Sequence, residues 1–413
     1  MIEDATITLA PRVTRLRHSP TAAISDRIRA LRAEGRMVDN LGEGELDFDT
    51  PRHIRDAAHE AIEAGETKYT AVGGTPALKT AIIGKFEREN GLCYRPDEII
   101  AGSGAKSLIL NALLATLSID DEVIVPAPYW VSYPDMVALS DGQPVIVGCE
   151  ENAGWKLRPE ALEAAISPRT RWLILNSPNN PTGAVYDADE LQALAAVLLR
   201  HPHVMVLADD IYEHLRFERP YVALPRIEPR LKSRTLLVNG VSKAYSMTGW
   251  RIGYAAGPQK LISAMEVLQS QSTSNPSSIS QAAAARALDA GAGFMEDWIA
   301  ILRARRDIVL SILGTTPGLR CATPEGAFYA FVNVVGLLGC TTRAGATIRN
   351  DLDVATYLLD EAGVGVVHGA AFGASPYVRI AYAVDTDTLR AACERIRSAC
   401  MALTNAPQKA GAR

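Results

Sequence analysis

Short apolar runs alternate with helical stretches through the middle of the chain. Seven runs are rich in Val, Ile, Leu and Ala, at 98–101, 122–126, 144–147, 172–175, 204–208, 235–238 and 252–255. This alternation predicts an α/β domain in which helices cover both faces of a mostly parallel sheet. Because ligands of such sheets bind beyond the carboxyl ends of the strands, polar residues that directly follow an apolar run are the candidates for a site.

The two ends of the chain carry a different pattern. One helix is predicted at 19–36, and another after Asp49-Thr50-Pro51, which offers a cap before a first-turn proline. Beyond residue 300 we predict a helix that spans 297–313, strands at 328–335 and 364–367, and a terminal helix at 386–403. The expected division is an N-terminal arm with part of a small domain (1–48), a large domain (49–300) and a small C-terminal domain (301–413).

Composition narrows the class of protein. The chain has 413 residues, of which 48% are hydrophobic. A chain of this length is longer than one that usually folds around a single hydrophobic core. A net charge of −5 with scattered basic residues argues against a nucleic-acid partner. The six cysteines lack metal-site spacing, and no apolar stretch is long enough to span a membrane. We therefore predict a cytoplasmic protein with reduced thiols that binds small molecules.

A first polar cluster, residues 101–106, ends one apolar run and opens an apolar helix. Its small residues, Gly104 and Ala105 among them, allow backbone N–H groups to approach an anion, which the helix dipole favours. The cluster predicts a phosphate site. An ordinary strand–helix turn is the alternative, because the spacing matches neither the dinucleotide fingerprint nor the Walker motif.

Two further clusters follow the fourth and fifth apolar runs, 172–175 and 204–208. Asn180 precedes a proline and is biased towards extended geometry, which would present its amide to a ligand, although a stiff turn explains the segment equally well. Asp209 ends a buried strand, where a carboxylate must be solvated, paired with a cation or part of a site. A helix N-cap is the alternative for this aspartate.

Lys243 lies in a loop between two apolar runs. Such a lysine is usually exposed, but apolar and aromatic neighbours desolvate an amine, lower its pKa and supply the neutral form that a Schiff base requires. A phosphate cradle, a carboxylate for a pyridinium nitrogen, an imine-forming lysine and an anion-binding arginine are together the parts of a pyridoxal 5′-phosphate site. The clusters therefore predict this cofactor and no metal.

Four strings of residues carry a resemblance to a known family: 68–70, 128–134, 177–183 and 243–254. They resemble the class I, fold-type-I pyridoxal-phosphate aminotransferases, and most closely the bacterial aspartate aminotransferase branch, some of whose members use prephenate. The likeness extends from about residue 19 to residue 400. It implies a large domain around a mostly parallel seven-stranded sheet, with a smaller α/β domain formed from both chain ends.

The resemblance implies a role for each residue around the cofactor ring. Lys243 would hold the cofactor as a Schiff base and shuttle the proton between the substrate α-carbon and the cofactor. Asp209 would pair with the pyridinium nitrogen. Tyr212 and Asn180 would bond the phenolate oxygen, and Trp130 would stack on the ring.

At the phosphate end, the resemblance assigns the backbone of Gly104, Ala105 and Lys106 and the guanidinium of Arg251. Tyr69 would reach the phosphate of a neighbouring subunit, so a homodimer is expected. The substrate α-carboxylate would be bound bidentately by an arginine, and the distal carboxylate by a serine and a lysine. The residues implied for the substrate are Arg379, Gly44, Trp130, Asn180, Ser19 and Lys106.

The sequence thus predicts an aminotransferase that moves an amino group from an L-amino acid, aspartate or glutamate, to a 2-oxo acid by a ping-pong route. A same-fold β-lyase, a decarboxylase or a specialised aminotransferase of secondary metabolism stays open, because Lys243 and Asp209 serve all of them. A DNA-binding regulator is disfavoured by the lack of a basic N-terminal domain. Leu46 stands where the family has a proline, and this change is expected to loosen a loop beside the substrate.

Overall fold

The computed structural model describes residues 7–16 and 20–404. The strands in this part of the chain are β1 (Asp39–Asn40), β2 (Ile99–Gly102), β3 (Glu122–Ala127), β4 (Gln143–Gly148), β5 (Thr170–Asn176), β6 (Met205–Asp209), β7 (Thr235–Gly240), β8 (Gly253–Ala256), β9 (Arg320–Cys321), β10 (Tyr329–Asn333), β11 (Val364–Gly365), β12 (Val367–His368) and β13 (Tyr377–Ala381). Each of the seven apolar runs in the middle of the chain forms one strand, as predicted.

The helices in the same part of the chain are α1 (Pro11–Thr14), α2 (Pro20–Ala33), α3 (Arg52–Glu63), α4 (Pro76–Lys85), α5 (Ala105–Thr116), α6 (Tyr133–Leu139), α7 (Pro159–Ala165), α8 (Ala188–Arg200), α9 (Leu224–Ile227), α10 (Gln259–Gln271), α11 (Ser278–Ala290), α12 (Met295–Leu313), α13 (Asp351–Ala362) and α14 (Thr386–Ala402). The predicted helices at both ends of the chain are therefore present. α13 and β13 were not predicted.

Strands β2 to β8 form one sheet in the order β2-β8-β7-β6-β5-β3-β4. Neighbours are parallel except β8, which runs antiparallel to β2 and β7. Both faces are buried: Val123 and Val125 pack into one apolar cluster and Ile124, between them, into another. Burial on both faces explains why these strands are continuous apolar runs rather than alternating patterns. The predicted mostly parallel sheet is confirmed.

A second, four-stranded sheet has the order β12-β13-β10-β9, and β1 pairs in parallel with β11. The pairing of β1 with β11 joins the N-terminal part of the chain to its C-terminal part. The prediction of a single strand at 364–367 is wrong, because β11 pairs with β1 whereas β12 pairs with β13. A break between β11 and β12 lets this segment contribute one strand to each of the two sheets.

The segment before α3 also differs from its prediction. The Thr50 hydroxyl donates to the Ser246 carbonyl at 2.6 Å instead of capping the helix, and Pro51 occupies the cap position without a side-chain acceptor. The threonine therefore ties this segment to the loop that contains Lys243. Tertiary contact has replaced the local cap that the sequence suggested.

The contacts around Leu46 oppose the expected loosening of this loop. This side chain is buried in the main apolar cluster. The carboxylate of the next residue, Asp47, accepts two hydrogen bonds from Arg305 at 2.7 and 2.8 Å. Apolar burial and a bidentate ion pair therefore hold the loop where the family has a proline.

None of the described helices is both long and apolar enough to cross a membrane. All six cysteines are free thiols. The sequence had suggested reduced cysteines because their spacing resembles neither a disulfide framework nor a metal cluster.

Candidate active site

A cavity of about 560 Å³ lies where the predicted polar clusters meet, at the carboxyl ends of the parallel strands. This volume lies within the range of small-molecule sites, which runs from about 300 to about 1,000 Å³. Most of the predicted site residues line it: Gly44, Ala105, Lys106, Trp130, Asn180, Asp209, Tyr212, Lys243, Arg251 and Arg379. The fold thus brings together residues that are up to 335 positions apart in the sequence.

Lys243 follows β7 and points its amine at the backbone carbonyl of Gly44, to which it donates a hydrogen bond. The pKa of this lysine is lowered to about 8, chiefly by burial and also by the charges of Arg379 and Arg251, whereas Glu45 opposes the shift. At neutral pH about a tenth of the amine is therefore neutral, far more than for an exposed lysine. The predicted source of a nucleophilic amine is present.

Asp209 ends β6 inside the protein. Its carboxylate accepts a hydrogen bond from the Tyr133 hydroxyl at 2.6 Å, and its backbone carbonyl accepts one from the Asn176 side chain at 2.8 Å. Burial raises the pKa of Asp209 to about 6, although the Tyr133 hydrogen bond and the charge of Lys243 oppose this shift. The carboxylate has no cation in hydrogen-bond contact among the described residues, so it is available to a positively charged ligand group.

Arg379 lies at the other side of the cavity, on β13. Its guanidinium donates to the Asn180 side-chain oxygen at 2.9 Å and to the Gly42 carbonyl at 2.6 Å. The side chain is only 2% exposed, and its Nε has no hydrogen-bond partner. No carboxylate pairs with it in the described part of the chain. A buried guanidinium without a counter-charge favours the binding of an anion.

The start of α5 and Arg251 form a second cationic region. Gly104 has a φ of +90°, and a Cβ there would overlap the Arg251 guanidinium. Gly253 likewise lets its strand approach the backbone nitrogen of Ala105, which a Cβ would also overlap. The first N–H groups of a helix have no acceptor within the helix, so these glycines bring α5 and Arg251 together as an anion cradle.

Lys106 and Trp130 lie beside this cradle. The Lys106 amine is 5.1 Å from the centre of the Trp130 ring. Burial and the positive charge of Arg251 both lower the pKa of Lys106. The pair therefore adds a positive charge and an aromatic face to the wall of the cavity.

The sequence missed several residues that line the cavity, among them Tyr133, Asn176 and Tyr329. Asn176 accepts the Asn180 backbone N–H at 2.8 Å, and the Tyr329 hydroxyl lies 2.9 Å from that of Tyr212. Tyr133 falls within the string 128–134 and Tyr329 within a predicted strand. Neither position carried a signal of its own, because the partners of both tyrosines are far away in the sequence.

One predicted site residue, Tyr69, lies elsewhere among the described residues. Tyr69 is 92% exposed and lines a separate surface cavity with Asn275 and residues 277–279. Its own subunit therefore does not bring it to the main cavity. Ser19 lies outside the described residues.

The pattern of class I and II aminotransferases matches residues 36–396. This chain belongs to that family. Curated relatives match this aminotransferase over nearly its whole length. It is 51% identical to the aspartate aminotransferase of Rhizobium meliloti (strain 1021), across 97% of this chain and 98% of that protein. It is 54% identical to the aspartate/prephenate aminotransferase of Cereibacter sphaeroides, across 96% and 99%.

Solved structures agree with the fold of this aminotransferase. The aspartate aminotransferase of Rhizobium meliloti superposes with a TM-score of 0.94, at 51% identity, across 97% of this chain and all of that one. The Thermus thermophilus aspartate aminotransferase with maleate gives 0.89 at 40% identity, across 95% and 100%. The predicted fold-type-I architecture and enzyme class are confirmed, and aminotransferases of this kind use pyridoxal 5′-phosphate.

The cavity fits this cofactor. An aldehyde needs a neutral amine, which Lys243 provides, and a pyridinium nitrogen needs a buried carboxylate, which Asp209 provides. A phosphate needs backbone donors and a cation, which the start of α5 and Arg251 provide. Each group of the cofactor therefore has a chemical partner on the wall of one cavity.

Proposed function

We propose that this aminotransferase moves the amino group of aspartate or glutamate to a 2-oxo acid by a ping-pong route. The observation that carries the proposal is the buried guanidinium of Arg379, which has no carboxylate partner among the described residues and faces the same cavity as the amine of Lys243. Such a guanidinium binds a carboxylate bidentately, and every amino acid and 2-oxo acid has one beside its reacting carbon. One site can thereby serve both halves of the reaction.

When bound, pyridoxal phosphate supplies an aldehyde that takes up the amino group and a ring that withdraws electrons. We assign the amine of Lys243 to hold that aldehyde and to move the proton at the substrate α-carbon. Asp209 would pair with the ring nitrogen and keep it protonated, and Tyr212 and Asn180 would bond the phenolic oxygen. Trp130 would cover the ring and exclude water.

At the other end of the cofactor, the backbone of Gly104, Ala105 and Lys106 and the guanidinium of Arg251 would hold its phosphate. Tyr69 would reach this phosphate from a second copy of the chain, which makes the proposed functional unit a homodimer. The exposure of Tyr69, which is unusual for a large aromatic side chain, supports this assignment.

We assign the distal carboxylate of the substrate to Lys106, together with Ser19. Gly44 borders the α-carboxylate through its backbone. Prephenate is a second candidate acceptor, supported by the names of several relatives. The wall of the cavity extends to Ser25 and Arg29 on α2.

The sequence-based division into 1–48, 49–300 and 301–413 stays a proposal, supported by the pairing of β1 with β11. A cytoplasmic location is likewise proposed, and the six free thiols support it because such thiols persist in a reducing compartment.

A spectrophotometric assay tests the function. Aspartate added to the protein with its cofactor is expected to change the cofactor's absorption band and to release one equivalent of oxaloacetate. 2-Oxoglutarate then restores the band and yields glutamate. Lys243→Ala is expected to abolish both changes. Pyruvate release without a change of the band would indicate a lyase instead, and turnover retained in Lys243→Ala would contradict the assignment of the lysine.

A further inference from the structure

Tyr329 touches three of the groups just assigned, and none of the roles above includes it. It begins β10, is 1% exposed, and lines the cavity between Tyr212, Arg379 and Gly44. Its hydroxyl lies 2.9 Å from the Tyr212 hydroxyl. The Arg379 guanidinium carbon lies 4.5 Å from the centre of its ring.

The contact with Gly44 is close enough to restrict the sequence. A Cβ at this position would lie 2.5 Å from the Tyr329 hydroxyl oxygen. The same glycine offers its carbonyl to the amine of Lys243. Tyr329 therefore reaches the lysine side, the phenolic-oxygen side and the carboxylate side of the cavity.

The hydrogen bond between the two tyrosines has a direction that its surroundings favour. Each hydroxyl has one proton, and only one of the two is needed for the bond between them. The guanidinium of Arg379 lies against Tyr329, and a neighbouring positive charge makes a hydroxyl a better donor. When Tyr329 donates, Tyr212 keeps its own proton for a ligand in the cavity.

The ring of Tyr329 has a separate effect. A guanidinium over an aromatic face is attracted to it, more strongly when both groups are desolvated. Phe372 lies on the guanidinium as well, at 4.9 Å from its ring centre. Arg379 is thus held between two rings, with its donors turned towards Asn180 and Gly42.

We propose that Tyr329 is a positioning residue: its hydroxyl donates to Tyr212, which turns the Tyr212 proton to the cofactor's phenolic oxygen, and its ring orients Arg379 for the substrate carboxylate. This inference rests on the proposed function. It predicts that the hydroxyl and the ring affect different measurements.

Two variants separate these effects. Tyr329→Phe keeps the ring and removes the hydroxyl, whereas Tyr329→Leu removes both. The matched control is Tyr357→Phe, which removes another buried tyrosine hydroxyl that bonds a backbone carbonyl, that of Ala399, on α14. The readouts are the pH midpoint at which the bound cofactor changes its absorption and the dissociation constant of maleate, a four-carbon dicarboxylate without an amino group.

In Tyr329→Phe the pH midpoint is expected to rise by about 0.3 unit or more. Without the hydrogen bond from the Tyr329 hydroxyl, Tyr212 is a weaker donor to the phenolic oxygen of the cofactor. The proton between that oxygen and the Lys243 nitrogen is then held more tightly. Maleate affinity should change less than about twofold, because the ring remains. In Tyr329→Leu maleate is expected to bind about tenfold more weakly, and Tyr357→Phe should change neither readout.

An unchanged midpoint in Tyr329→Phe would overturn the role of the hydroxyl, and wild-type maleate affinity in Tyr329→Leu would overturn the role of the ring. If the leucine variant does not fold, Tyr329→Phe still tests the role of the hydroxyl. Tyr329→Trp, which keeps an aromatic face, then tests the role of the ring: wild-type maleate affinity in this variant supports that role. A wild-type protein that shows neither a pH-dependent band nor maleate binding would instead refute the proposed function.

Discussion

The hydrogen bond from Tyr133 to Asp209 makes a measurable prediction about pH. Tyr133→Phe removes the hydroxyl that donates to the Asp209 carboxylate at 2.6 Å and leaves the ring against Trp130. The remaining donor to this carboxylate, the backbone of Ile211, is distant at 3.4 Å. The substitution therefore removes the principal stabilisation of the ionised form of Asp209.

The size of the effect follows from the burial of both groups. A hydrogen bond to a charged group contributes about 1.5–3 kcal/mol, and one pKa unit corresponds to about 1.4 kcal/mol. In the cofactor-free protein the pKa of Asp209 is already raised to about 6. Because an acid with a weaker donor holds its proton to higher pH, the variant's pKa is expected to rise by about one to two further units.

The assay is the dissociation constant of pyridoxal phosphate, measured on cofactor-free protein from about pH 5.5 to about pH 9. Lys243, with its pKa of about 8, titrates in both proteins, so the ratio of the two dissociation constants reports on Asp209. That ratio should rise below about pH 7 to 8, where only the wild-type carboxylate stays ionised. The two proteins should agree at about pH 9. Tyr357→Phe serves as the control. A variant curve that coincides with the wild-type curve would refute the electrostatic role of Tyr133.

Three further outcomes are expected. Arg379→Ala should raise KM by about 10- to 100-fold for every amino-acid substrate, which is measured with several amino donors. An effect on one donor alone would mean that this arginine binds the side chain of that substrate and not the shared α-carboxylate. Asp209→Asn should stabilise the cofactor-free protein against urea by up to about 3 kcal/mol above pH 6. The reason is that burial of the ionised carboxylate is unfavourable, since it raises the pKa of Asp209 from 3.8 to about 6. Near pH 3.5, where the carboxyl group is neutral, both proteins should be equally stable. Lys85→Met should destabilise the fold by about 3–5 kcal/mol, because it removes the lysine that pairs with buried Glu213 and leaves only the more distant His214 ring, at 3.7 Å, as a basic neighbour. The double variant Lys85→Met/Glu213→Gln should recover part of this loss. Equal instability of the two variants would contradict the reason given.

The strands of the main sheet were predictable because each is buried on both faces, so every one is a continuous apolar run. The segments that failed lack such a signal. The break between β11 and β12 depends on which strand each half meets, and Thr50 bonds a carbonyl almost 200 residues away instead of its own helix. Local patterns record burial and turns, but not the identity of a distant partner.

Most of the candidate site could be predicted because its polar residues directly follow strands and because its motifs resemble those of a known family. Tyr133 and Tyr329 could not. Their side chains resemble ordinary core tyrosines in the sequence, and only the approach of Asp209, Tyr212 and Arg379 makes them part of the site.

The sequence by itself determined the α/β class, the placement of polar clusters at strand ends and the residue types that pyridoxal phosphate requires. The tertiary structure decided what those residues experience. Lys243 has a pKa of about 8 and Asp209 one of about 6 because burial removes water from both. Arg379 is available to a carboxylate because β13 places it between two aromatic rings, with no acidic partner among the described residues. Desolvation and charge pairing depend on every neighbour in space, which a linear pattern does not specify.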